Sequence, residues 1–203
     1  VAIETHMPPS PPPAPRTAPI RVARAAEPPP CDGTWSPGRW PSRPLPIDRD
    51  RDRWPAPGSP AFALFAWDNQ ALHVAVRVTV FSAEHIRTGS VWAVDDGVEL
   101  ALQGRNEKGD PTVVLFRGHA NGSYSVVPQA GTDSNAVRYS ARVSSSRPAG
   151  WSCTWTIPWK ILRVEPAADR SVLANVGVWR AEDATWRYLE GGEGGEASPR
   201  PSV

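Results

Sequence analysis

Ala71-Leu72-His73-Val74-Ala75-Val76-Arg77-Val78-Thr79-Val80 is the stretch that decides the fold. Leu72, Val74, Val76, Val78 and Val80 alternate with His73, Ala75, Arg77 and Thr79, a period of two. Such a run is an extended strand with its aliphatic set turned to a core and the other face left polar. Val98, Leu100 and Leu102 alternate with Glu99, Ala101 and Gln103 in the same way, as do Trp151, Cys153, Trp155 and Ile157 with Ser152, Thr154 and Thr156. Further strands are expected at Ala61–Trp67, Thr112–Arg117, Ser123–Val127, Ala136–Ser144, Leu173–Arg180 and Ala184–Leu189. Turn formers separate them, among them Asp68-Asn69, Asn121-Gly122 and Pro148–Gly150. One helical turn is expected at Pro158–Leu162, with Pro158 suited to a first-turn position. Many short strands and almost no helix mean an all-β protein, an antiparallel β-sandwich of jelly-roll or immunoglobulin-like type. Its core should hold Leu72, Val74, Val76, Val78, Val98, Leu100, Trp155, Ile157, Val176 and Val178.

The 203 residues suit one domain, and a hydrophobic fraction of 40% supplies a core. No apolar run is long enough to cross a bilayer as a helix. The 22 basic and 21 acidic residues give a net charge of +1, which argues against a nucleic-acid partner. The 24 prolines are unevenly placed, with 17 of them in the first 60 residues. Residues 1–19 are too Pro-rich for helix or ladder and are expected to form an extended, polyproline-like arm. The sandwich is then residues 20–203. Trp35, Trp40 and Trp54, in the Pro-rich stretch leading into it, are expected to plug against it.

Little in the chain carries catalytic chemistry. Asp48-Arg49-Asp50-Arg51-Asp52-Arg53 fails as a calcium loop, because Arg53 stands where the turn needs Gly and Ser59 where a bidentate Glu belongs. It reads as a solvated charged loop. His6, His73, His85 and His119 show no metal-ligand spacing, and His73 is expected to be exposed or hydrogen-bonded. Asp95-Asp96 with Glu99 is a carboxylate cluster without a matching acid elsewhere. No catalytic residue, metal or cofactor is expected. Cys31 and Cys153 are compatible with one disulfide or with two buried free thiols. Trp67, Trp151 and Trp155 lie in apolar runs and read as core. Trp92, in the loop before the Val98 strand, reads as a stacking platform for a sugar ring or as a lid on the core.

The order of these motifs resembles a known family. Arg24 to Gly33 with Trp40 and Pro44-Leu45 is similar to the opening of family 9 carbohydrate-binding modules. Trp67-Asp68-Asn69-Gln70-Ala71-Leu72-His73-Val74-Ala75-Val76-Arg77-Val78 resembles that family's Trp-Asp-x-x-x-Leu-Tyr-Val-x-Val strand. Trp92 to Leu100 resembles its Trp-x-x-Asp-x-Val-Glu segment, and Trp155 to Leu162 its Ile-Pro-Trp-x-x-Leu stretch. Asn175-Val176-Gly177 and Trp186 fall where its closing strands would be. The resemblance implies a β-sandwich, no enzyme activity and an extracytoplasmic address, periplasmic, cell-surface or secreted. It implies Trp92 as an aromatic platform, with Glu99 and Arg117 hydrogen-bonding sugar hydroxyls; a Glu99–Arg117 salt bridge is the plainer alternative. The second aromatic of the family's sugar site has no counterpart in Gly191 to Ser198. Related haem-binding folds use an axial Met, and the only Met here is Met7, in the arm.

Two functions follow from these features. The first is a structural subunit docked into a larger complex, membrane-associated or not, by its arm, through Pro8, Pro9, Pro11, Pro12, Pro13, Pro15 and Ile20, with other protein subunits as partners. The alternative is a module that binds a glycan through Trp92, Glu99 and Arg117. The arm tips the expectation to the first, since stiff polyproline orders on a partner at little entropic cost.

Overall fold

The structure is a computed structural model that describes residues 21–127, 134–167, 171–190 and 192. Residues 1–19 and Ile20, which carry the expected docking arm, lie outside the described residues.

The architecture is the expected sandwich. One sheet holds β1 (Leu45–Ile47), β2 (Ala61–Trp67), β3 (Ala71–Thr79), β8 (Gly150–Pro158) and β7 (Arg138–Ser144), in the order β1-β2-β3-β8-β7. The other holds β10 (Thr185–Tyr188), β9 (Ala174–Arg180), β4 (Gly97–Arg105), β5 (Pro111–His119) and β6 (Tyr124–Val127), in the order β10-β9-β4-β5-β6. All strand pairs are antiparallel. The one α-helical turn among the described residues, α1 (Trp159–Leu162), directly follows β8. No helix among the described residues is long and apolar enough to cross a membrane.

The inner faces follow the alternation. Leu72, Val74, Val76 and Val78 of β3 and Trp151, Cys153, Trp155 and Ile157 of β8 meet Val98, Leu100 and Leu102 of β4 and Val176 and Val178 of β9 in one buried cluster. Every residue expected in the core is buried.

The outer face of the first sheet departs from expectation. In β3 the polar-face positions His73 and Ala75 are buried as well, and every residue of β8 but Pro158 is buried. The cause is a strap, residues 21–42, laid over that face. Ala25 and Trp40 are buried on Leu64, Ala66 and Ala75, with Trp35 partly buried beside them. Backbone bonds tie it down at one end: the Ala25 amide donates to Trp67 O at 2.8 Å. Side chains of β8 tie it in the middle, where Thr154 Oγ1 accepts from the Gly33 amide at 2.8 Å and Ser152 Oγ donates to Gly33 O at 2.7 Å. Two of the three approach tryptophans thus pack as expected. Trp54 does not, and stays 38% exposed.

The same strap explains the cysteines, which are free rather than bridged. Cys153 points into the core between the sheets, and burial pushes its thiol up to about 12. Cys31 arrives with the strap that Ser152 and Thr154 hold, and its thiol donates to Thr154 O at 3.4 Å. The expected alternative of a disulfide thus gives way to two free thiols, Cys153 buried and Cys31 partly buried.

His73 is 2% exposed and is held by Asp68 Oδ2 at 2.9 Å and by Thr156 Oγ1 at 3.4 Å. It is hydrogen-bonded, as one of its two expected states, and it is not exposed. The charged loop of residues 48–53 also does more than meet solvent. Arg49 exchanges backbone hydrogen bonds with Tyr188 at 2.7 and 3.0 Å, covering the free edge of β10.

Candidate ligand site on the outer face of the second sheet

β4, β5, β9 and β10 bring the candidate residues together through register. Glu99 of β4 stands directly opposite Arg117 of β5, and Gly177 of β9 stands on its other side, opposite Tyr188. One step along the strands, a second outward row runs Trp186, Trp179, Gly97, His119. Outward positions recur every second residue, so these two rows share one face.

Glu99 is fully buried, and Arg117 Nε donates to its Oε2 at 2.7 Å. The salt bridge expected as the plainer alternative is therefore present. It does not remove the pair from a ligand site, because Arg117 is only partly covered and the carboxylate fixes the plane of its guanidinium.

Trp92 lies over the Arg117 guanidinium. Its turn is held by the two carboxylates that follow it: Asp95 Oδ2 accepts from the Val91 amide at 2.8 Å, and Asp96 Oδ2 from the Arg87 amide at 2.9 Å. Ala93, next to Trp92, takes a left-handed φ of 58°. Asp96 is buried, which raises its carboxyl above the ordinary range. The Asp95-Asp96 cluster is thus an anchor for the loop, not an acid–base pair. The Trp92 indole has the Arg117 guanidinium 4.6 Å from its ring centre, a cation–π contact. It meets His119 edge-on at 5.8 Å and Trp186 at 5.4 Å.

Trp186 opens a chain of rings, with Trp179 at 5.6 Å and Tyr188 stacked at 5.8 Å with an interplanar angle of 15°. Burial, and then the charge of Glu99, push the Tyr188 hydroxyl up to about 12. The sequence marks Trp186 only as part of a closing strand, and a second aromatic is sought after that strand, in residues 191–198. The second ring is instead within the strand. A signal for it exists: Trp179 and Trp186 each stand one residue outside Arg180 and Thr185, the pair that closes the turn Ala181 to Ala184. A hairpin so closed sets the two rings side by side on one face.

An open groove of about 510 Å³ lies at the other end of β4, between the β2–β3 turn and α1, lined by Asn69, Gln70, Trp159, Lys160, Arg163 and Glu165. It holds none of the candidate residues.

No protein-family model and no curated protein matches the chain. Two solved structures match over most of both chains. A family 9 carbohydrate-binding module from Caldicellulosiruptor kristjanssonii in complex with glucose is 17% identical, with a TM-score of 0.62, over 84% of this chain and 85% of that one. A family 9 module from the same organism in complex with cellotriose is 16% identical, with a TM-score of 0.61, over 84% of each chain. At that identity the likeness is one of fold: this chain is a β-sandwich with the fold of a family 9 carbohydrate-binding module.

Proposed function

We propose that the chain is a non-catalytic carbohydrate-binding module that takes a pyranose unit on the outer face of the second sheet. The observation that carries this is the convergence of Trp92, Trp186, Glu99 and Arg117 on one sheet face. It gains weight from a fold shared with modules whose structures hold glucose and cellotriose. The chemistry suits such a ligand. A pyranose offers a flat C–H face that stacks on an indole and a rim of hydroxyls that pair with a guanidinium and a carboxylate. A module of this kind works where glycans are, so an extracytoplasmic address belongs to the same proposal. The docking-subunit expectation rests on residues 1–20, and no observation among the described residues favours it.

Titration calorimetry with glucose and cellotriose tests the proposal. Saturable binding is expected, and Trp186→Ala is expected to weaken it about ten- to a hundred-fold, by analogy with the loss of one stacked base. Absence of binding to either sugar at millimolar concentration overturns it.

A further inference from the structure

The Trp92 indole fills a slot made for something of its own size. Gly97 stands in the outward row between Trp179 on β9 and His119 on β5, and has no side chain to offer. A Cβ on Gly97 would meet the Trp92 ring at 3.3 Å, so the indole lies directly on that bare stretch of backbone. The walls of the slot surround it: Trp186 at 5.4 Å, His119 at 5.8 Å, and the Arg117 guanidinium at 4.6 Å. Trp179 Nε1, in the same row, is buried with no hydrogen-bond partner among the described residues. A buried donor left unpaired is costly, and an apolar ring cannot satisfy it.

The spacing forbids the simplest way of binding. A pyranose held between two rings needs them about 7–8 Å apart, two van der Waals layers of about 3.5–4.0 Å each. Trp92 and Trp186 are too close for that. The segment that carries Trp92 is suited to movement. Val91 and Val94 on either side are 60% and 45% exposed, so the turn buries little besides the one indole. Asp95 and Asp96 hold the amides of Val91 and Arg87, so both ends of the turn stay anchored and the Trp92 side chain is the part that swings.

We infer that Trp92 is a displaceable plug of the sugar subsite. The incoming pyranose takes the slot over Gly97, stacks on Trp186, meets Arg117, and supplies an oxygen to Trp179 Nε1, while the indole swings out about the turn at Ala93. This inference rests on the glycan-binding proposal and adds the sign of the Trp92 contribution. A plug that must leave lowers the apparent affinity by the fraction of time it is out. Its removal should therefore tighten binding, whereas removal of a platform should weaken it.

The experiment is calorimetric titration of the full chain and of Trp92→Ala with cellotriose. The expected result is a Kd lower in Trp92→Ala by roughly ten-fold. That order is set by the aromatic pair and the cation–π interaction that hold the indole in its slot and must be broken when it swings out. An unchanged or weaker Kd overturns the plug and leaves glycan binding standing. Absence of binding by both proteins overturns the plug and glycan binding together. Fluorine NMR of 5-fluorotryptophan-labelled wild type gives an independent readout, with the Trp92 signal assigned by its loss in Trp92→Phe. Cellotriose should increase the solvent-isotope shift of that signal as the ring enters water. A decrease, the mark of a ring covered by sugar, overturns the plug.

Discussion

Asp68 shows how much one side chain can hold at the end of a strand pair. Its Oδ1 accepts from the Gln70 and Ala71 amides at 2.7 and 2.8 Å, and its Oδ2 pairs with buried His73 at 2.9 Å. Burial works to raise this carboxyl, but the His73 bond and the two amides outweigh it, so it lies below its ordinary value of 3.8. The sign follows from linkage. A carboxyl depressed in the folded state stabilises fully above its unfolded value, and that stabilisation is lost as pH falls through the folded value. Asp68→Asn should therefore unfold at lower urea than wild type near neutral pH, by about 1–2 kcal/mol. The gap should shrink once pH drops below about 3.8. Urea denaturation of both proteins at about pH 6 and pH 3 checks this, and a gap of equal size at both would refute it. The pattern in the sequence put His73 on the polar face of its strand, which is where it lies. Nothing in the pattern said what covers that face, so its burial was illegible. Glu99 and Arg117 were legible as a pair, because both stand at outward positions of neighbouring strands. Trp186 was missed as a site residue because its partner ring is seven residues back, across a turn, where alternation alone gives no register.

At the scale of elements, the strands with strict alternation were readable almost to their ends, since β-branched runs between turn formers leave few other conformations open. β1 was not, because three residues with Pro46 at their centre carry no period, and Pro is tolerated there only on an edge strand. The strap was illegible for the same reason: its apolar anchors Ala25, Trp35 and Trp40 follow no repeat. Its geometry nonetheless demands particular residues. Gly33 has φ +77°, and a Cβ there would stand 2.8 Å from the Ala141 carbonyl carbon. Both facts penalise any side chain. Gly33→Ala should lower stability by about 1–3 kcal/mol with the urea m-value unchanged, since the strap loosens without leaving. Differential modification of Cys31 is a second readout, because its thiol is held against Thr154 O only while the strap lies flat. A variant as stable as wild type, with Cys31 no more reactive, would mean that β7 yields to the methyl group at no cost.

The whole molecule is a sandwich with its two outer faces put to different uses. The face of the first sheet is closed by the chain itself, through Trp40 on Leu64, Ala66 and Ala75. Over Gly97, the face of the second is closed among the described residues by a side chain, the Trp92 indole, and so is the one that a ligand can open. This division predicts how the N-terminal fifth contributes. Removal of residues 1–20 deletes no residue of either sheet or of the strap, and should shift the melting temperature by no more than a degree or two and leave cellotriose binding unchanged. Removal of residues 1–42 strips the strap from Leu64, Ala66 and Ala75 and bares His73, Ser152 and Thr154. The loss of Trp40 burial alone is worth about 1.5–3 kcal/mol, and the strap's hydrogen bonds add to it. For a domain of this size about 1 kcal/mol moves the midpoint by 2–4 °C, so a fall of at least about 6 °C is expected. Calorimetric melting of the two truncations against the full chain decides it. If the shorter truncation lowers the midpoint as far as the longer one, residues 1–20 are part of the folded core and not an appended arm.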